Sequence, residues 1–221
     1  LSTTGNGFIL VSSSTITGNS APANGSGWYL NATGSYVMVN SILAGNTGSS
    51  DCVSSGSATC PVNGDANGDS GDVTSASGLG LSPLVNAVSN TAVPVMIPLP
   101  GSAAICAGTT FTLGANNLFL LTDARGVTFG AGGYCASGSI DAGAVQTDYA
   151  MSFKAQPSNV VQNSTMSPAP AVTLDENGAP FTVSPVTIPL TLTSSPSGAT
   201  LTGGSVATSQ GVATYSALTI N

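Results

Sequence analysis

Apolar positions along the chain follow two different grammars. From Phe8 to Asn46, short β-branched and aromatic runs return at a fixed offset. Phe8-Ile-Leu-Val11 followed by Ser14-Thr-Ile-Thr-Gly-Asn19 recurs as Ser35-Tyr-Val-Met38 followed by Ser41-Ile-Leu-Ala-Gly-Asn46, 27 residues on. Self-similarity at such a period marks a solenoid, and runs this short, punctuated by Gly and Asn, read as coils of short strands. Asn19 and Asn46 hold one repeat position. In a stack of coils Asn tolerates positive φ there, and its amide can bond the next rung; a sugar-binding row of asparagines is the alternative. About two coils can be counted before the pattern loosens at Thr47. Repeats bury their faces only against neighbours, so the first edge is expected to be covered by upstream coils or by another chain.

The second grammar starts after Gln146. Met151-Ser-Phe-Lys-Ala-Gln-Pro157 opens a series of short alternating runs at 171–174, 186–193, 199–201, 206–208, 211–215 and 218–220. Turn residues separate them, notably Asp175-Glu-Asn-Gly178 and Ser194-Ser-Pro-Ser-Gly198. Strands of this length between such turns predict a β-sandwich.

Between the two lies a less regular region. Residues 47–80 are rich in Gly, Ser, Asn and Asp and read as a long surface excursion pinned by Cys52 and Cys60. Within it, Asp65, Asn67 and Asp69 match the first three ligand positions of a calcium loop. Gly is missing from the sixth place and Glu from the twelfth, so a solvated acidic turn is the default and calcium the alternative. The apolar runs Leu79–Leu84 and Val93–Leu99 are broken by prolines, which cannot donate to a ladder, and so read as edge or connecting strands.

Three phrases follow: Pro100-Gly-Ser-Ala-Ala-Ile105, Thr122-Asp-Ala-Arg-Gly126 and Ser139-Ile-Asp-Ala-Gly-Ala-Val145. Arg125 is the only arginine of the chain. Acidic and basic side chains beside Gly and small residues suit a knot in which charge-assisted bonds tie tight turns together. A pair of Arg125 with Asp123 or with Asp141 is expected there. In this order the phrases resemble the C-terminal cap of the choice-of-anchor Q bacterial surface proteins, which are right-handed parallel β-helices. The chain departs from that pattern at Cys106, where Asp is usual, and at Ala124, where Gln is usual. Phe153-x-x-Gln156-Pro157, Val172-Thr-Leu-Asp-Glu-Asn-Gly178 and Gly211-Val-Ala-Thr-Tyr215 resemble the bacterial Ig-like repeats of large surface proteins. Such repeats normally continue past the position of Leu218–Ile220 with further strands. The expected fold is therefore all-β: a short right-handed parallel β-helix with a C-terminal cap over 1–147, then an Ig-like β-sandwich over 148–221 with an unfinished edge and an uncovered apolar groove.

Composition narrows the function. Of 221 residues, 41% are hydrophobic, enough for a sizeable core, but only 5% are charged against ~25% in an ordinary domain. Two basic residues, nine acidic ones and no histidine give a net charge of −7, which leaves nothing to neutralise a row of phosphates and argues against nucleic acid. No run approaches the ~20 apolar residues of a membrane span. The chain opens at Leu1 without a signal-peptide pattern, as expected of a trimmed product or a segment of a longer chain. Four cysteines without histidine partners suit disulfides and an oxidising, extracellular setting. Of three connectivities, proximity favours Cys52 with Cys60 and Cys106 with Cys135.

Asn24, Asn31 and Asn163 open N-x-Ser/Thr sequons, so glycans are candidate partners and attached sugar would hydrate a surface poor in charge. Low charge, disulfides, two surface-protein grammars and an unfinished edge at each end point to a structural subunit of an extracellular fibre. Copies would join head to tail by strand complementation, with the segment Leu1–Val11 as a candidate donor. A polysaccharide-active β-helix is the enzymatic alternative. Lyases of that shape need a base and hydrolases need paired acids, and the supply here is one Arg, one Lys and no His, so the expectation is no enzyme. A carbohydrate-binding adhesin using Trp28, Tyr29 and Tyr36 as stacking platforms is the third reading, beside core roles for those rings. No cofactor other than calcium is expected.

Overall fold

The computed structural model describes residues 2–4, 8–31, 35–48, 50–55, 59–60, 72–86, 93–109, 122–128, 135–136, 138–194 and 198–221. The described residues are strands, turns and bends without a helix, so none is long and apolar enough to cross a membrane. The chain divides into two compact units, Leu1–Thr147 and Asp148–Asn221.

In the first unit the recurring runs become parallel strands. β1 (Ser2–Thr4), β2 (Phe8–Ser12), β3 (Thr15–Ile16) and β4 (Ser20–Ala21) form one rung. The next rung holds β5 (Trp28–Asn31), β6 (Ser35–Val39), β7 (Ile42–Leu43) and β8 (Thr47–Gly48), and β9 (Cys52–Ser55) lies beyond β5. Ser2 pairs Tyr29, Phe8 pairs Ser35, Thr15 pairs Ile42 and Ser20 pairs Thr47, all in parallel. The 27-residue offset of the sequence is thus the register of four ladders. Trp28 pairs Cys52, a shorter step. Val73 makes a parallel bridge to Ile42 and continues the third ladder.

Corners between strands need left-handed backbone, and the repeat supplies it twice per rung. Ser13 and Asn40 have φ of 43° and 50°, and Gly18 and Gly45 have φ of 69° and 74°. Asn19 and Asn46 do not take positive φ. The glycine before each takes the left-handed turn, which costs a residue without Cβ little, and the Asn side chain is left for the ladder.

Inside the coils Trp28, Leu30, Met38 and Leu43 pack together, and a second cluster joins Ile42, Ala44, Val73, Leu79, Ala104 and Ala142. β10 (Val85–Asn86) and β11 (Pro94–Val95) pair antiparallel, with a bridge from Leu81 to Pro98. The proline-broken runs thus make the two sides of one antiparallel ladder. β12 (Gly108–Thr109) pairs with β13 (Ser139–Ile140). Asn40 stands in for a strand there: its amide nitrogen donates to Thr109 O at 2.7 Å while its Oδ1 accepts Thr109 N–H at 2.9 Å.

The second unit is antiparallel throughout. β14 (Tyr149–Ala155) pairs with β15 (Ala171–Glu176), whose other side carries β16 (Ala179–Pro180) and β20 (Val212–Thr214). Asn177 and Gly178, with φ of 49° and 73°, make the tight turn between β15 and β16, the geometry that favours Asn-Gly in two-residue hairpins. β17 (Thr187–Pro189) pairs β19 (Ser205–Ala207), and β18 (Leu201–Thr202) pairs β21 (Thr219–Ile220). Tyr149, Met166, Leu174, Phe181, Ala213, Tyr215 and Leu218 are buried, with Tyr149 edge-on to Phe181 at 5.5 Å.

The edge expected beyond Leu218 is not left unfinished. β21 is held by β18 on one side, while Thr165 bridges Thr219 and Met166 N–H reaches Leu218 O on the other. Among the described residues β14, like β16 to β20, pairs with a single strand, and the exposed large apolar side chains of this unit are Met151, Phe153 and Val161.

Candidate functional site

Three phrases far apart in the chain meet in one buried knot. The Thr122–Gly126 turn places Asp123 so that its Oδ1 accepts the N–H of Arg125 at 2.7 Å and of Val127 at 2.9 Å. Its Oδ2 accepts Gln146 N–H at 2.9 Å and Arg125 Nε at 3.1 Å, the latter a salt bridge whose two side chains are almost entirely buried. Arg125 Nη2 donates onward to Gln146 O. The arginine therefore pairs with Asp123. Asp141 serves a different set of donors: Oδ1 accepts Cys106 N–H at 2.8 Å, and Oδ2 accepts the N–H and hydroxyl of Thr147, both at 2.7 Å. Gln146 links the halves, its Oε1 accepting Asp141 N–H and its amide donating to Asp141 O, both at 2.9 Å.

Each carboxylate is thus solvated by N–H and O–H groups of the chain, which is what a buried charge requires. Chemically the knot closes turns. Gly143, at φ 101°, seats it against the coils: a Cβ there would lie 2.7 Å from Thr15 Oγ1 and 2.8 Å from Ile42 Cδ1. Ala144 N–H donates to that same Thr15 oxygen at 3.0 Å.

Both disulfides form, Cys52–Cys60 and Cys106–Cys135, as proximity in the sequence favours. Cys106, Cys135 and Asp141 lie close enough to suggest a cation site. The two sulfurs, however, are bonded to each other and are no thiolate ligands. Both oxygens of Asp141 are already engaged.

Two side-chain ladders run down the coils. Asn46 Oδ1 accepts Asn19 N–H at 3.0 Å and Asn19 Nδ2 at 2.9 Å, and Asp51 Oδ1 accepts Asn46 N–H and Nδ2, both at 2.7 Å. The expected asparagine bond between rungs is present, extended by an aspartate. The second ladder escaped the sequence reading. Ser41 Oγ accepts Ser14 N–H at 3.1 Å, and Asp72 Oδ1 accepts Ser41 N–H at 2.8 Å. Its signal was available, since Ser14 and Ser41 share the 27-residue offset.

Trp28 is fully buried, with Tyr36 edge-on at 6.4 Å, and cannot act as a stacking platform. Tyr29 is half-buried within β5. Asp65, Asn67 and Asp69 lie outside the described residues. Asn24 and Asn163 are exposed at positive φ, 63° each; Asn31 sits in β5. Within the segment expected as a donor, residues 2–4 and 8–12 pair in the parallel ladders with β5 and β6.

In the second unit, burial holds the Tyr215 phenol above the usual tyrosine value, and its hydroxyl donates to Ile188 O at 3.0 Å. Comparison with known proteins found no matching family model, no similar curated protein and no similar solved structure.

Proposed function

We propose that the chain is a structural subunit of an extracellular or cell-surface fibre. Residues 1–147 form a short right-handed parallel β-helix closed by the cap knot, and residues 148–221 an Ig-like β-sandwich. Copies join head to tail by β-strand complementation at the first rung. The observation that carries this reading is the repeating ladder: β1 to β4 pair with β5 to β8 in parallel at one 27-residue offset, and Asn46 makes towards Asp51 the bond that Asn19 makes towards Asn46, a pattern that further rungs can extend. A strand edge of this kind is a template for another strand. A contact joining unlike ends of successive molecules does not close, and therefore propagates. Two disulfides support an oxidising setting, and glycans on Asn24 and Asn163 would hydrate a surface with few charges.

Negative-stain electron microscopy of the full chain is the test. Filaments lost on substituting Leu10→Pro, which removes a backbone donor from β2 without adding bulk at the cap, support the reading. A monodisperse monomer at every concentration overturns it.

A further inference from the structure

The fold places the three N-x-Ser/Thr sequons very differently. At Asn24 the hydroxyl residue is enclosed: Ser26 is 7% exposed, and its N–H and Oγ both donate to Ser50 O at 2.7 Å. Gly25 between them has no room to spare, since a Cβ there would lie 2.9 Å from Val53 N. Asn31 ends β5, paired in parallel with Thr4 on one side and Ser55 on the other. Asn163 differs. Residues 161–165 are all exposed, and Ser164 N–H donates to Val161 O at 3.0 Å. That bond closes a β-turn with Asn163 at its third position, at φ 63°. Asn163 N–H reaches Ile220 O at 2.8 Å, and Thr165 bridges Thr219. The backbone is thus held at both ends of the sequon while its side-chain positions stay in solvent.

A second observation points to what the turn carries. Val161 opens it and is 77% exposed, more than any other large apolar side chain among the described residues. A pyranose ring has a face of C–H groups, and laying one over Val161 takes apolar surface of both out of water. We propose that Asn163 carries an N-linked glycan whose first sugar packs on Val161. The acceptor is the Asn163 side-chain amide, and the donor is a lipid-linked sugar pyrophosphate, brought by a transferase that reads the Thr165 hydroxyl. Nδ2 forms a bond to the anomeric carbon as the bond from that carbon to the pyrophosphate oxygen breaks. Nδ2 gives one proton to a base of the transferase, and nothing is oxidised or reduced. Asn163 stays open after folding, whereas Asn24 is open only until Ser26 is enclosed. The inference rests on the extracellular setting of the proposed function and not on the fibre.

Peptide mapping by mass spectrometry of the full chain, isolated folded from its own source, tests the site. The peptide holding Asn163 should carry a sugar, and peptide N-glycosidase should release it and leave aspartate at that position. Thr165→Ala should abolish the modification, Thr165→Ser should keep most of it, and Ser164→Ala should leave it unchanged. Nuclear Overhauser contacts should join the Val161 methyl protons to ring protons of the first sugar. Those contacts should vanish in Val161→Ser with occupancy unchanged. A bare Asn163, occupancy indifferent to Thr165→Ala, or a sugar without contact to Val161 overturns the proposal. Filaments of a chain bare at Asn163 would count against the sugar and leave the fibre standing. A sugar on a chain that forms no filaments would do the reverse.

Discussion

The two units solve one problem, satisfying the backbone of short strands, by opposite means. In the first, parallel strands are joined by wide corners that cannot bond themselves. Polar side chains fill the gaps: Asn46, Asp51, Ser41 and Asp72 down the coils, Asn40 opposite Thr109, and Asp123, Asp141 and Gln146 in the cap. In the second, antiparallel strands pair through tight turns such as Asn177-Gly178, and the interior is left to Leu174, Phe181, Ala213, Tyr215 and Leu218. The first unit holds all four cysteines, the second none. Stability in one therefore rests on a few specific bonds. In the other it is spread over packing, so single changes should strike the two units unequally.

Reducing both disulfides should separate them most. Each closes a loop in the unfolded chain worth about 3 kcal/mol, so a calorimetric trace should show the first unit's transition falling steeply while the second holds. A common shift of both transitions would contradict the division. Asp141→Ala should come next, at about 4 kcal/mol in the first unit alone, because it strands the buried N–H groups of Cys106 and Thr147. Arg125→Ala should cost less, since Asp123 keeps three backbone N–H donors without it.

Tyr215→Phe should cost the second unit about 1.5 kcal/mol by leaving Ile188 O without its donor. The same residue should give that unit an alkaline limit. Its folded phenol holds its proton above 10.0, the value of an ordinary tyrosine, whereas the unfolded one loses it there. The folded state then binds more protons, and stability is full below that pH and falls as the pH climbs through and beyond it. Urea titrations at stepped alkaline pH should show the decline in wild type and a flatter profile in Tyr215→Phe. The smallest effect belongs to the ladder. Asn46→Ala should cost about 1 kcal/mol and Asn19→Ala about half as much, because among the described residues Asn46 bonds to both Asn19 and Asp51 while Asn19 bonds to Asn46 alone along the ladder. Equal losses would mean the ladder is not read rung by rung.

Much of this contrast was legible in the chain. A repeat offset is a register, so the four parallel ladders follow from matching Phe8 with Ser35 and Ser14 with Ser41. Cysteine proximity named both bridges, and Asn177-Gly178 named a turn. What stayed hidden depends on three-dimensional closure. Which acid receives Arg125 is decided by the turn that brings Gln146 N–H beside Asp123. That Gly18 and Gly45 take the corner is decided by the ladder, which needs each asparagine's amide. The last strand is not left open, because residues 163–166 fold back along β21, a pairing with no local sequence signal.

The bond from Ala144 N–H to Thr15 Oγ1 spans 129 residues, and its consequence is one of timing. Closing a loop of that length costs about 1.4 kcal/mol more in chain entropy than closing one 27-residue coil, and folding slows as contacts grow more distant in sequence. The coils can stack as they emerge from synthesis, but the knot that locks them is made last. Until residues 142–147 arrive, the core around Ile42 and Ala104 lacks Ala142, and the unit passes through a stage prone to wrong association. Maturation of the first unit is therefore a terminal event, set by its final six residues.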